Sequence, residues 1–347
     1  MAWAGFGKTQ IRYDMFNATR SAASAKRYTK CENIYHKGQE LAWDGKDILN
    51  DLLKEHGGIK LDDTKKNALK RVFAIIMWGE LAAWKISAQL ADGLVPLEAK
   101  MAATSQAFDE ARHFYVMHDY LDALGYKPKK MDRAPQALLD LTLETPNMAY
   151  KLLGMQLMIE SMALTIFQTI RELAPEPVIA ELMKYYERDE ARHVGLGMQY
   201  LPELIKEMDE KEIRQMMWFQ AKIMFWAMAE LKVLEPDFKV LGINPRDVIQ
   251  LGRGKQILAM QAAFDVLGKG FDKEQRSNVL AALNAVNEFL YPTPETEGSI
   301  LKQVQAAWAA FNEEAGAASE DSLDIHSAHQ IKTARGEIAK AEKAQIN

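Results

Sequence analysis

The residues best suited to chemistry lie in two identical pentapeptides, Asp-Glu-Ala-Arg-His at 109–113 and again at 189–193. The two copies are offset by 80 residues, and the same offset relates Glu80 to Glu160. In both halves a glutamate therefore precedes the Glu-x-x-His pair by 30 residues. Self-similarity at a fixed offset indicates a duplicated structural unit. The candidate metal ligands are Glu80, Glu110, His113, Glu160, Glu190 and His193.

Helix geometry predicts that these side chains meet. The midpoints between the paired glutamates fall at residues 95 and 175, beside Pro96 and at Pro175, so we expect a bend at each. Each glutamate then lies about 22 Å along its helix from the bend, which puts both members of a pair at one level. A Glu and a His three positions apart project from one helical face. Two such hairpins packed together would gather four carboxylates and two imidazoles.

The charge of this cluster predicts bound metal. Four ionised glutamates inside an apolar bundle require compensation, and two divalent cations balance them when both histidines are neutral. The oxygen-rich ligand set favours iron or manganese over a structural zinc site. One Glu from each of two helices and Glu-x-x-His from two others is the established ligand pattern of di-iron and di-manganese carboxylate bundles. We predict two iron ions, and leave Mn/Fe and Mn/Mn pairs open.

The remaining repeated residues predict a supporting layer around the ligands. A metal-bound histidine usually donates its free ring N–H to a carboxylate. If the halves are related by a two-fold axis, Asp189 holds His113 and Asp109 holds His193, across the two hairpins. Arg112 and Arg192 then neutralise the two aspartates.

The elements that must position these residues are helices. Apolar side chains recur at three- and four-residue spacing from 66 to 318, and alternating strand-like patterns are missing, so we predict an all-α fold. Gly125 marks a helix end, and Thr145 with Pro146 marks an N-cap and first turn. The segment 211–234 is apolar nearly all round and is expected to be buried. The predicted helices are 66–91, 97–124, 146–173, 177–202, 211–234, 246–267, 272–289 and 297–316.

These helices predict a four-helix bundle with additional C-terminal helices. Residues 66–207 form the bundle in this interpretation, and residues 208–318 complete the same domain. Residues 1–65, whose aromatics have no clear period, form an N-terminal arm packed on the bundle. The small and polar residues 319–347 predict a mobile tail.

Composition excludes several other classes. The 347 residues carry 43 basic and 48 acidic side chains, a formal net charge of -5, so neither nucleic acid nor an anionic membrane is an expected partner. The single cysteine, Cys31, cannot form an intrachain disulfide or a four-cysteine metal site. No apolar run near the ~20 residues of a membrane span and no secretory signal stand out, so we expect a cytoplasmic protein.

The ligand motifs resemble those of the ferritin-like di-iron carboxylate proteins. The resemblance covers about residues 66–207 and fills all six ligand positions. Asp-Glu-x-Arg-His is especially similar to the oxygen-activating branch, which includes hydroxylase subunits of bacterial multicomponent monooxygenases, acyl-carrier desaturases and ribonucleotide reductase small subunits. The resemblance implies a ferritin-like four-helix bundle and an O2-activating di-iron enzyme. Where the monooxygenases place a threonine four residues after the third glutamate, this chain has Leu164, with Thr165 next.

The leading functional prediction is an oxygen-dependent di-iron oxidase or oxygenase. Its substrate would be an organic, apolar or aromatic molecule that is hydroxylated, desaturated or N-oxidised. The chain has no Gly-x-Gly-x-x-Gly fingerprint after a strand and no cysteine set for an iron–sulfur cluster, so a separate reductase or ferredoxin is expected to supply electrons. We also expect a homodimer. No catalytic residue beyond the metal ligands is predicted, and the pocket candidates are Gly197, Met117, Leu164 and Thr165.

Three alternatives stay open. A ribonucleotide reductase small subunit has a similar ligand set, but it usually places a radical tyrosine four residues after the first histidine, where this chain has Met117. A ferroxidase or iron-handling protein is a second alternative, although storage ferritins are much shorter. A single Glu-x-x-His would most often be a surface pair, and the duplication with matched partners is what argues against that interpretation.

Overall fold

The computed structural model describes residues 18–246, 248–249 and 273–317. Helices joined by loops account for these residues, with no strand among them, so the predicted all-α class is confirmed. Residues 1–17 of the predicted arm, nearly all of the predicted helix 246–267, and the predicted tail 319–347 lie outside the described residues.

The helices follow one another with short connections. A π-helical segment, Leu152–Ile159, joins α7 to α8 without a break. In chain order the α-helices are α1 (Ala18–Arg27), α2 (Thr29–Glu40), α3 (Gly45–Glu55), α4 (Asp63–Gly93), α5 (Leu97–Ala123), α6 (Arg133–Glu144), α7 (Met148–Lys151), α8 (Glu160–Leu173), α9 (Pro177–Ile205), α10 (Glu210–Leu241), α11 (Lys273–Leu290) and α12 (Ile300–Ala317).

The four helices that carry the predicted ligands form two hairpins. Helix α4 packs along α5, α8 packs along α9, and α5 and α9 contact each other between the hairpins. The bends predicted at residues 95 and 175 are confirmed, since the loops span 94–96 and 174–176. At the second bend, Ala174 adopts a left-handed φ of 43°, and the Glu176 carboxylate caps α9 by accepting from the Ile179 N–H at 2.8 Å. This arrangement is compatible with the ferritin-like prediction.

Helix ends differ from the prediction in two places. Gly125 follows α5 with φ 70°, as predicted for a helix-ending glycine. The third bundle helix, however, begins after Asn147, whose side chain accepts from the N–H groups of Ala149 and Tyr150. Thr145 instead ends a helix that was not predicted, α6, so the expected N-cap at Thr145 is wrong. Asn147 is the better cap because its carboxamide oxygen reaches two unpaired N–H groups of the first turn.

The N-terminal region is more regular than the sequence suggested. Its described part forms the helices α1, α2 and α3, of which α2 and α3 pack on α5 and α9. Asp44 caps α3 by accepting from the Asp47 N–H at 2.9 Å. The helices are short, so a periodic stripe has little length in which to show.

Helix α10 covers one side of the bundle, contacting α4 and α6. Its inner face is apolar and buried, with Met216 3% and Ile223 0% exposed. The prediction that the whole segment 211–234 is buried is wrong, because Trp218 is 71% and Phe225 is 64% exposed. A helix on the outside of a bundle has neighbours on one face only, whatever its composition.

The helix that runs from Met148 to Leu173 lies in the core. By length and composition alone it could cross a membrane, the one such helix in the described part of the chain. In the structure 61% of its apolar window is buried against other helices. Gly197 of α9 permits the close approach of the π-helical segment, since a Cβ there would lie 2.9 Å from Gln156 Cβ and 2.8 Å from Leu157 Cδ2.

Candidate metal centre

The structure brings all six sequence-predicted ligands into one buried cluster. The side chains come from α4, α5, α8 and α9, and each is at most 5% exposed. Glu80 is the most exposed of them at 5%, and Glu110 and Glu190 are fully buried. An acidic cluster this deep requires a compensating charge or protons.

The cluster divides into two donor sets that share two glutamates. The first donor set is Glu80, Glu110, His113 and Glu190, and the second donor set is Glu110, Glu160, Glu190 and His193. Within each set, one nitrogen or oxygen per residue lies within 4.8 Å of the others. Glu110 and Glu190 belong to both sets and therefore have the placement of bridging ligands. These buried Glu and His groups could hold metal ions.

The ring nitrogens facing the carboxylates are the Nδ1 atoms. His193 Nδ1 lies 2.9 Å from Glu110 Oε1 and 2.9 Å from Glu190 Oε2. His113 Nδ1 lies 3.4 Å from Glu110 Oε2 and 3.2 Å from Glu190 Oε1. These last three atoms, His113 Nδ1, Glu110 Oε2 and Glu190 Oε1, are buried without a hydrogen-bond partner. Buried polar atoms are nearly always hydrogen-bonded. Three potential ligand atoms that converge without a hydrogen bond among them are therefore the arrangement expected around a bound cation.

The opposite ring nitrogens face the aspartates of the other hairpin. His113 Nε2 lies 3.2 Å from Asp189 Oδ2, and His193 Nε2 lies 3.4 Å from Asp109 Oδ2. This is the crossed arrangement expected from a two-fold relation between the halves. An aspartate on Nε2 orients each ring so that Nδ1 points to the donor sets.

Two arginines balance the two aspartates. Arg112 donates to Asp189 at 2.8 Å and also to Asp109, while Arg192 donates to Asp109 at 2.9 Å and to Asp189 at 2.8 Å. Both guanidinium groups are at most 9% exposed. The four side chains form a neutral buried network that supports both histidines.

Burial shifts the pKa values of the outer glutamates upward. Loss of water around Glu80 and Glu160 raises the pKa of both carboxyls well above the usual value, and for Glu160 the neighbouring charge of Glu190 adds to the rise. For His113 and His193 burial lowers the pKa, but the surrounding carboxylates outweigh it, and the net pKa lies well above the usual value. Without metal, all four groups therefore favour the protonated form.

The two shared glutamates shift the other way. Burial raises the pKa of Glu110, but the charges of His193 and His113 outweigh it, and the net pKa is well below the usual value. The pKa of Glu190 is also lowered, because the charge of His193 outweighs burial and the repulsion of Glu110. In the metal-free cluster these shifts favour ionised Glu110 and Glu190 beside protonated histidines.

Sequence reasoning missed four side chains around the cluster. The Trp43 indole donates to Asp189 Oδ2 at 2.7 Å, and the Tyr186 ring stacks on His113 with centroids 4.3 Å apart. Gln106 Nε2 donates to Glu110 and Glu160, both at 3.1 Å, and Gln156 Nε2 donates to Gln106 Oε1 at 3.2 Å. The glutamines lie four residues before Glu110 and Glu160, one helical turn away, which is a signal the sequence did contain.

A small recess beside the cluster is lined by Ile34, Gln106 and His193 among others, and none of the four pocket candidates belongs to its lining. Met117 is fully buried in the apolar core, and Leu164 is half-buried. The Thr165 hydroxyl donates to the Ser161 carbonyl within its own helix at 2.8 Å. Gly197 packs against the π-helical segment. Their predicted role at a pocket stays a prediction.

Comparison of the sequence with family models and with curated proteins gives no match. The class of protein is therefore inferred from the fold and from the geometry of the site. The chain is an all-helical protein in which a buried carboxylate–histidine cluster could hold metal, and this is compatible with a ferritin-like di-iron fold.

Proposed function

We propose that this chain is an oxygen-activating di-iron enzyme, an oxidase or oxygenase that acts on an organic substrate. The observation that carries the proposal is the pair of donor sets that share Glu110 and Glu190. Two divalent cations there would be balanced by four carboxylates, and the histidines would complete each set as neutral ligands. Iron in such a set supplies O2 binding and electron transfer at ligand positions that the protein leaves open.

The protein's own residues would hold, orient and protect this centre. Asp189 and Asp109 fix the ring orientation of His113 and His193, so that a neutral Nδ1 on each ring would be available to hold a metal ion. The core around the bundle is apolar and tightly packed, which excludes bulk water from the site. A fixed, dry site favours controlled oxidation of a substrate over reaction with solvent.

Electrons would come from a separate protein, a reductase or ferredoxin. Trp43 is half-buried and donates to Asp189, which in turn contacts His113, so a hydrogen-bonded chain connects the first donor set to the outer helices. This series of hydrogen bonds supports electron delivery from the face where α2 and α3 lie. A homodimer and a cytoplasmic location belong to the same proposal.

Single-turnover oxidation tests the proposal. The metal-free chain is loaded anaerobically with Fe²⁺, the bound iron is counted, and O2 consumption is followed on mixing with air-saturated buffer. We expect saturation at two irons per chain, one for each donor set, with O2 consumed in proportion to bound iron. The variant Glu110→Ala, which removes a shared donor, should lose both the iron and the O2 consumption.

Two other outcomes would replace the proposal. Iron uptake far beyond two per chain would indicate an iron-handling protein. A stable organic radical formed on oxidation, seen by electron paramagnetic resonance, would favour a radical-generating subunit of the ribonucleotide reductase type. A matched control is His118→Gln, because His118 is exposed, pairs with its neighbour Asp119 and belongs to neither donor set, so iron binding should not change.

A further inference from the structure

Two buried glutamine side chains, Gln106 of α5 and Gln156 of the π-helical segment, lie beside the second donor set. Gln106 is 2% exposed and Gln156 is fully buried. The Gln106 NH2 group donates one hydrogen bond to the shared Glu110 and one to Glu160, the glutamate that belongs only to the second donor set. Gln106 Oε1 accepts from Gln156 Nε2. Both N–H groups of the Gln106 amide are thus used on ligand carboxylates.

The carboxylates fix the orientation of both amides. An ionised carboxylate, the form that binds metal, only accepts hydrogen bonds, so Gln106 turns its NH2 group towards Glu110 and Glu160. Its oxygen then faces Gln156, which presents its own NH2 group. Gln156 Oε1 is left buried with no hydrogen-bond partner among the described residues. A buried acceptor without a donor destabilises the fold, so the pair is better explained by its effect on the carboxylates.

The repeat does not place such a pair at the first donor set. The offset of 80 residues puts Tyr186 at the position that corresponds to Gln106, and Ile76 at the position that corresponds to Gln156. Tyr186 stacks on His113 and donates to the His113 carbonyl, and an isoleucine has no donor in its side chain. The amide pair therefore belongs to one half of the repeat.

The two outer glutamates are consequently held in different ways. Gln106 donates to Glu160 at 3.1 Å. Glu80 lies 3.4 Å from His113 Nδ1, and in the part of the chain that the structure describes no amide side chain donates to it. The imidazoles have comparable support, because each has an aspartate on its Nε2. The difference between the donor sets thus lies in the outer glutamates.

We propose that Gln106, itself oriented by Gln156, positions Glu160 and Glu110 so that the second donor set takes up the first metal ion and the first donor set fills after it. A ligand that is held in place before the metal arrives loses less conformational freedom on binding. A carboxylate has about four lone-pair positions, so it can accept from Gln106 and bind a cation at once. The inference rests on the proposed function and adds to it a positioning residue and an order of metal uptake.

Titration of the metal-free chain with Mn²⁺ tests the positioning role. Electron paramagnetic resonance distinguishes free Mn²⁺, isolated bound Mn²⁺ and a spin-coupled pair. We expect isolated bound Mn²⁺ at one ion per wild-type chain and coupled pairs at two. Gln106→Met keeps the length of the side chain but removes both N–H groups. It should weaken the tighter binding step about 10–100-fold, so that coupled pairs already form at one ion per chain.

Two further variants accompany this titration. Gln156→Met removes the hydrogen bond that orients Gln106, and should weaken the same step by a smaller factor. Gln89→Met is the matched control, because Gln89 is exposed on α4, and wild-type binding is expected. Wild-type binding in Gln106→Met, or an equal loss at both binding steps, would overturn the inference.

Crystals of the wild-type chain grown with one Mn²⁺ per chain locate the first ion. We predict a single anomalous peak beside Glu160 and His193. A peak beside Glu80 and His113 instead, or two peaks of equal occupancy, would overturn the order of uptake. If circular dichroism shows that Gln106→Met does not fold, this experiment decides alone.

These outcomes are distinguishable from failure of the proposed function. Two bound irons per chain with O2 consumption would leave the proposed function standing even if both donor sets filled together. Failure of the wild-type chain to bind Fe²⁺ or Mn²⁺ would overturn the order of uptake and the proposed function together.

Discussion

Binding of two metal ions should release protons, and the structure indicates which groups lose them. In the metal-free cluster the pKa values of His113, His193, Glu80 and Glu160 all lie well above their usual values. Each of these groups therefore favours its protonated form and must lose the proton to bind a cation. Two imidazolium protons and two carboxyl protons set an upper limit of about four protons released per chain on saturation.

The shared glutamates contribute no protons to this count. The pKa values of Glu110 and Glu190 are lowered, so both are ionised before metal arrives. Because the metal-bound state holds fewer protons than the metal-free state, the affinity for metal rises with pH. The product of the two binding constants should rise by up to about four orders of magnitude per pH unit while all four groups are protonated.

Isothermal titration calorimetry with Mn²⁺ measures the release, using buffers of different ionisation enthalpy at one pH. Mn²⁺ avoids oxidation during the titration. His118→Gln serves as control, because this exposed histidine lies outside both donor sets and should not alter the count. Stoichiometric binding with release near zero would refute the proton assignment, since it would mean that the ligands are deprotonated already or that the metal binds elsewhere.

Four further variants test the support of the site and the packing of the bundle. Asp189→Asn removes the charge behind His113, and should lower metal affinity about 10–100-fold in a chelator competition. Gly197→Ala forces a Cβ against the π-helical segment and should cost about 1–3 kcal/mol in urea unfolding. Gly195→Ala, whose Cβ would meet its nearest neighbour at 3.6 Å, should instead be neutral or stabilise by up to about 1 kcal/mol. Lys151→Met leaves the carbonyls of Thr142 and Leu143 without their donor and should cost about 1–3 kcal/mol. Equal stability of the two glycine variants, or wild-type stability of Lys151→Met, would contradict these packing arguments.

Much of the fold could be predicted because helix periodicity is a local signal. The hairpin bends at 95 and 175 follow from the repeat and from proline, and they are confirmed. Helix α6 and the short helices α1 to α3 were missed, because a helix of ten to twelve residues shows few turns of a stripe. The exposure of Trp218 depends on which face of α10 finds a neighbour, and composition does not contain that information.

The candidate site was also only partly predictable from the sequence. Two identical pentapeptides and a matched glutamate pair identified the residues that converge, since spacing on a helix fixes a face. Trp43 could not be found in this way, because it lies 146 residues from Asp189 and meets it only through tertiary packing. Gln106 and Tyr186 occupy equivalent positions of the repeat, but Gln106 donates to Glu160 and Tyr186 stacks on His113. These contacts are tertiary, so the sequence alone does not reveal them.

The central claim is that the two donor sets hold a pair of metal ions bridged by Glu110 and Glu190. Anomalous diffraction from crystals of the chain grown with Mn²⁺ or Fe²⁺ tests it most directly. We predict two anomalous peaks per chain, one within each donor set, with a carboxylate of each shared glutamate between them. A single peak, peaks away from Glu80 and Glu160, or no peak in protein saturated with either metal would contradict the account.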